Sequence, residues 1–389
     1  MLLYPSRRWT RLLPAILLVM TGVTGECKPQ PWAMWDSYAA RFVDGQGRVI
    51  DPQGDSRTTS EGQSYALFFA LVDNDRPRFD RVLAWTQANL AQGDLSAHLP
   101  SWLWGRDKDG AWKTLDPNSA GDSDVWIAYT LCEAGRLWKH PPYSDIGRSM
   151  MARIAAAEVR DLPGLGPMLL PGPIGFEHHG AWTLNPSYLP VFLFQRFAAI
   201  DPAGPWQKIA LNIPRVVEHS SRNGFAMDWV TYSPESGFSP SPQSPDDKTA
   251  APPSGSYDAI RVYLWAGMLD GEGRTRSELL KSLYGMNAYL AVHDAPPERV
   301  NGQGIPLGND GGAGFSAALF PYLAAIPDSA KALSRQVTRV NALKDSTSGL
   351  LGKDLRYYDQ NLGLFGAGFL HGRYKFGPGG ELAVGWTHS

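Results

Sequence analysis

Two cysteines in 389 residues leave this chain without the means for a disulfide framework. Cys132 falls on an apolar, helix-like face, where a buried thiol is the plain reading. A chain of this size must then hold itself together by packing, and its 43% hydrophobic content can fill a sizeable core. Excess charge of one sign is missing too. With 36 basic and 38 acidic residues the formal net charge is -2, which excludes the basic footprint of a nucleic-acid binder. No nucleophile-elbow pattern and no zinc-ligand spacing occurs. Glu177-His178-His179 has metal-binding residue types, but adjacent histidines point apart on either regular element, so the segment reads as surface loop. Gly312-Ala313-Gly314-Phe315-Ser316-Ala317 imitates a dinucleotide loop, but the stretch 302–310 before it is no buried strand. Neither a metal nor a cofactor is expected.

Long hydrophobic runs are also lacking. The N-terminus carries Arg7, Arg8 and Arg11, then an apolar run at 12–20, then small and polar residues through Gly25. That run is too short to span a bilayer comfortably, and its flanks are those of a secretory signal peptide over about residues 1–26. Thr24-Gly25-Glu26 before Cys27 is a poor match to a lipoprotein signal, so Cys27 is not read as an anchor. The mature chain, 27–389, is expected in the periplasm or outside the cell, with no stable membrane insertion. It shows no low-complexity tail and no clear linker. The Pro- and Ser-rich stretch 233–256 runs into Tyr257-Asp258 and reads as a long surface loop, leaving one domain over 27–389.

What the chain does have is a recurring local context. Glu61, Asp122 and Asp258 each stand where a loop rich in small residues gives way to an apolar-periodic run. Such positions are helix starts, where backbone N–H groups lack partners and side chains face solvent. Ser60 caps the first with Gln63 in capping-box spacing, Asn185-Pro186 opens another, and Ser256 caps a third. Weaker starts follow near Gly312 and Leu362. The intervals leave room for two helices each, so six inner helices alternating with six outer ones would bring the inner starts to one rim. The fold class is therefore all-α, an (α/α)6 toroid with a rim cleft holding Glu61, Asp122, Tyr188 and Asp258. Paired carboxylates across a cleft are the chemistry of glycosidic bond hydrolysis.

Four segments then resemble the glycoside hydrolases of family eight, and especially its members encoded with bacterial cellulose synthase. Ala120-Gly121-Asp122-Ser123-Asp124-Val125-Trp126-Ile127-Ala128, continuing to Ala134 and Trp138, looks like the family signature, departing at Gly121, Ser123, Thr130 and Cys132. Ser60-Glu61-Gly62-Gln63-Ser64-Tyr65 resembles the general-acid motif, Tyr257-Asp258-Ala259-Ile260-Arg261 the general-base motif, and Asn185-Pro186-Ser187-Tyr188 the substrate-tyrosine motif. Tyr357-Tyr358-Asp359-Gln360-Asn361-Leu362-Gly363-Leu364-Phe365 also resembles the family. The resemblance implies inverting hydrolysis of internal bonds in β-1,4-glucan. Glu61 would be the acid, Asp258 the base, and Asp122 a carboxylate gripping the sugar, with Tyr188, Arg261 and Tyr257 binding substrate. The partners implied are cellulose chains and a cellulose synthase or export complex.

Position alone is less decisive. Glu61 and Asp258 are equally explained as acids that favour a first helical turn, Asp258 pairing with Arg261 three residues on. Asp122 and Asp124 cannot share a helix face, so only one can meet the sugar, and the local sequence does not choose. Trp102, Trp104 and Trp112 lie in a loop-like segment suited to stacking on sugars, Trp102 foremost, although tryptophans also serve packing. Two other functions stay open: a related xylanase or chitosanase, and a non-catalytic glucan-binding component of an export system.

Overall fold

The computed structural model describes residues 31–243 and 249–387. The expected signal peptide and Cys27 lie outside the described residues. Thirteen α-helices are present among them: α1 Ala33–Phe42, α2 Ser60–Val72, α3 Arg76–Leu90, α4 Gly121–Leu137, α5 Pro141–Ala157, α6 Val191–Ile200, α7 Trp206–Ser220, α8 Ala259–Met268, α9 Arg274–Ser282, α10 Tyr284–Val292, α11 Ala313–Ala325, α12 Ala330–Ala342 and α13 Tyr357–Leu370.

Burial sorts them into two rings. In α2, every residue but Glu61 is buried, in α8 every residue is, and α11 is nearly as fully enclosed. A helix apolar all round belongs inside. By contrast α12 buries Ala332, Gln336 and Val340, four residues apart, which is one stripe with the other face in water. The inner ring is α2, α4, α6, α8, α11 and α13. Outside, α3, α5, α7, α9 and α12 each pack on the inner helix before them, α10 continues α9 toward α12, and α1 packs on α13 to complete the last pair. This is the (α/α)6 barrel expected from the sequence. Its axis is filled with aromatic rings: Trp126 lies 5.3 Å from Trp265 and 5.2 Å from Phe365, and Phe68 lies 5.5 Å from Phe365.

Strands, absent from the sequence reading, build the rim, except that the last pair lies toward the far end of the barrel, where Leu382 is held by Glu133 and Arg136 near the end of α4. The strands β1 Thr58–Thr59, β2 Ser101–Arg106 and β3 Trp112–Ser119 form an antiparallel sheet. The hairpin β4 Val159–Leu162 and β5 Gly166–Leu169 follows, then a sheet of β6 Glu177–His178, β7 Ala181–Leu184, β8 Val230–Ser233 and β9 Gly237–Pro240. Two further pairs are β10 Ser254–Gly255 with β11 Val300–Asn301, and β12 Tyr374–Phe376 with β13 Leu382–Val384. The 233–256 stretch thus opens with a hairpin, and its β10 delivers the chain to Tyr257-Asp258.

Several caps differ from the sequence reading. Thr59, not Ser60, caps α2, accepting from Gly62 N–H at 3.1 Å, because Ser60 is turned inward to meet the Ser123 hydroxyl at 2.6 Å. Gln63 reaches away from the cap, accepting from Val49 N–H and donating to the Thr86 hydroxyl. Asn185 caps only a 3-10 turn, Pro186–Tyr188, and α6 begins after Pro190. The last inner helix starts at Tyr357, ahead of the predicted Leu362. Cys132 is buried, its thiol against the Met151 sulfur.

Candidate active site

Glu61 is the second residue of α2, Asp122 the second of α4, and Asp258 caps α8, so the three acids stand at the starts of three inner helices. The Ser60–Ser123 hydroxyl contact ties the first two starts together. Gly62 is required beside Glu61, since a Cβ there would lie 2.2 Å from the Tyr357 hydroxyl.

One side chain joins the acids. Arg261, one turn into α8, is only 2% exposed, and its guanidinium lies among all three. One terminal nitrogen is ion-paired with Glu61, stands 3.6 Å from an Asp122 oxygen, and donates to the Tyr65 hydroxyl at 2.9 Å. The other donates to Asp258 at 2.7 Å and to the Ser187 hydroxyl at 3.1 Å. The Tyr188 ring sits 5.8 Å from the guanidinium carbon. Glu61 and Asp258 keep 24% and 28% of their side-chain exposure, so both remain reachable from solvent, whereas Asp122 keeps 5%.

Electrostatics follow from this crowding. Burial pushes Asp258 from 3.8 up to about 6, Arg261 opposing and the Asp228 and Glu61 charges adding to the rise. Burial, with the neighbouring Glu61, holds Asp122 well above its ordinary range despite Arg261. Three acids around one cation leave excess negative charge in a desolvated place, and Asp122 is where a proton is most readily kept.

Asp122 and Asp124 have different surroundings: Asp122 is beside Arg261 with the other two acids. Asp124 points into the protein, fully buried beside Glu158, which accepts from the Ser119 hydroxyl at 2.5 Å. Burial and the Glu158 charge raise Asp124 well above its ordinary range, and burial lifts Glu158 to about 7.

Trp102 lies in β2, half-buried, one residue beyond the pairing of Leu103 with Thr59, which brings it level with the start of α2. Trp104 and Trp112 stack on each other at 5.0 Å with the Arg48 guanidinium over both rings, so this pair is occupied in rim packing. Tyr257 stands at the rim, 37% exposed, its hydroxyl donating to Glu298 at 2.7 Å. Its carbonyl accepts from the Tyr358 hydroxyl. Tyr358, close enough to feel the charges of Arg261, Glu61 and Asp258, was named only within a motif. Asp228 was missed altogether: it lies in a loop before β8, thirty residues from Asp258, and no periodicity or cap signal marks it. Among the described residues no group of three or more His, Cys, Asp or Glu is placed to hold a metal.

Two solvent-reachable carboxyls on one guanidinium at the mouth of an (α/α)6 barrel form an arrangement open to acid–base hydrolysis. The chain matches the model of the glycosyl hydrolases family 8 over residues 4–371, and it belongs to that family. It is 46% identical over 377 residues to an endoglucanase of Xanthomonas axonopodis pv. citri (strain 306), covering 96% of this chain and 93% of that relative. An endoglucanase of Escherichia coli O157:H7 is 41% identical over 96% of each chain. The structure of the endo-1,4-D-glucanase from Vibrio fischeri ES114 superposes with a TM-score of 0.80 at 37% identity, covering 92% of this chain and 99% of that one.

Proposed function

We propose that Glu61 and Asp258 are the acid and base of an inverting endo-β-1,4-glucanase. Asp258 activates water on one face of the sugar while Glu61 protonates the leaving oxygen on the other. Asp122, Tyr188 and Arg261 grip the sugar at the cleavage point, and Trp102 and Tyr257 bind the chain beyond it. The observation that carries this reading is the sharing of one buried guanidinium by Glu61 and Asp258 through its two terminal nitrogens. That arrangement fixes both acids while leaving each open to solvent. To act as the acid, Glu61 must first take up a proton, which dissolves its ion pair, and Arg261 keeps Asp122 and Asp258 as partners when it does. Asp122, raised well above its ordinary range by burial and the neighbouring Glu61 charge, can hold such a proton in reserve.

The test is hydrolysis of soluble cellulose, xylan and chitosan by the mature protein. Viscosity loss with soluble cellulose, ahead of reducing-end release, is the expected result; a preference for xylan or chitosan overturns the substrate assignment. Retention of both acids argues against a purely binding role. Export to the periplasm rests on the basic, apolar and small-residue order of 1–26, and work beside a cellulose synthase or export complex rests on the family resemblance. Cell fractionation, and the length of cellulose made without the enzyme, test those two statements.

A further inference from the structure

We propose that Asp228 is the positioning residue of the base: it caps the helix that Asp258 would otherwise cap, and so frees the Asp258 carboxyl to face the cleft. The inference rests on the reading of Asp258 as base. An aspartate at a helix N-cap ordinarily folds its own carboxylate back onto the second or third N–H of the helix. Asp258 occupies that position in α8 but with helical dihedrals, φ -78° and ψ -49°, which turn its carboxyl away from those amides, and it makes no such bond. Its carboxylate goes to Arg261 instead.

The helix start is nevertheless fully satisfied. One oxygen of Asp228 accepts from the N–H groups of Ser256 at 2.7 Å, Asp258 at 3.1 Å and Ala259 at 2.9 Å. Ile260 N–H donates to the Ser256 carbonyl and Arg261 N–H to the Asp258 carbonyl, each at 3.0 Å. Every amide from Asp258 to Arg261 therefore has a partner, and none is the Asp258 side chain. Asp228 is itself fixed, its second oxygen accepting from the Ser254 hydroxyl at 3.1 Å and its N–H donating to the Ser254 carbonyl at 2.8 Å. The two segments run so close that a Cβ on Gly255 would lie 2.0 Å from the Ala226 carbonyl oxygen. A carboxylate accepting three N–H bonds at a helix start is strongly held there.

The charge of Asp228 acts on the base as well. Asp258 faces Arg261 of its own helix, Glu61 of α2, Asp122 of α4, Tyr358 of α13, Asn185 and Tyr188 before α6, and Asp228. Of these, Asp228 is a negative neighbour outside the sugar-gripping cluster, and removing it favours the ionised base.

Three variants test the proposal on soluble cellulose, with kcat, KM and the pH profile of kcat/KM measured and folding checked by circular dichroism. Asp228→Ala should lose on the order of 10²-fold in kcat with KM little changed, because the Asp258 backbone is then free to leave its helical conformation and let its carboxyl turn back to cap the helix. Asp228→Asn keeps an acceptor oxygen and should restore most of kcat, while the acid limb of the profile moves to lower pH. A folded Asp228→Ala enzyme with wild-type kcat, or Asp228→Asn with an unmoved acid limb, overturns the proposal. Should Asp228→Ala not fold, the limb of Asp228→Asn decides alone. Asp258→Asn separates the two readings. Full turnover in it removes Asp258 as base, whereas an inactive Asp258→Asn beside a wild-type-like Asp228→Ala sinks only the role of Asp228.

Discussion

Asp258→Asn should abolish turnover and make the protein more stable at neutral pH. The structure gives the size of the second effect. A carboxyl raised from 3.8 to about 6 by burial is harder to ionise in the folded chain than in the unfolded one, by about 3 kcal/mol. The folded state binds this proton more tightly. Its contribution to stability is therefore fully present below about 3.8 and lost as pH rises through about 6. Asparagine has no proton to lose, so the variant escapes that loss. The gain should be about 3 kcal/mol at pH 7.5 and shrink to roughly 0.5 kcal/mol at pH 4. Residual solvent access to the side chain lowers the upper figure, to about 1–3 kcal/mol. Arg261 loses one partner but keeps Glu61 and Asp122, so no cation is stranded. Urea denaturation of both proteins between pH 4 and 8, beside turnover on soluble cellulose, measures the two effects. A variant less stable than wild type at pH 7.5, or a gain that does not shrink toward pH 4, refutes the reasoning.

Glu61→Gln keeps size and hydrogen bonding but has no proton to give, so turnover should fall by roughly 10²–10⁴ with folding hardly changed; wild-type turnover on a natural glucan removes it from the acid role. NMR of fresh hydrolysate should show the α-anomer first, and a β-anomer appearing first would make Asp258 a nucleophile rather than a base. Trp102→Ala should slow long glucans more than short ones, each lost stack being worth on the order of 0.5–1.5 kcal/mol beyond area burial; equal slowing of both would place Trp102 in packing. Below pH 6 wild-type kcat/KM should fall, since Asp258 takes up its proton at about 6; a profile level down to pH 4 would show that another group activates the water.

The barrel and the three acids were legible because they follow from local order: an acid after small residues, then an apolar run, repeated at intervals wide enough for a helix pair. Where the sequence misled, tertiary contacts had redirected a side chain. Ser60 has every property of a cap but is recruited by Ser123, and Thr59 takes its place. Pro190 breaks the helix that Asn185-Pro186 announces. The tryptophan segment looked like loop because β2 and β3 pair with a shifted register, which hides the alternation of a regular hairpin. Asp228 is the plainest loss. Its role depends on backbone amides thirty residues away, and amides carry no side-chain signature.

The aromatic plug along the barrel axis has a consequence for how a polymer is met. With Phe68, Trp126, Trp265 and Phe365 packed ring against ring beneath the acids, the bore is shut and nothing can be threaded through it. A polymer must be laid across the mouth sideways, like a rope over a groove. Such an enzyme has no need to find a terminus, so its rate should follow the number of accessible bonds rather than the number of molecules. At constant mass of glucan, cutting chains shorter beforehand should leave the initial rate almost unchanged until they no longer span the groove.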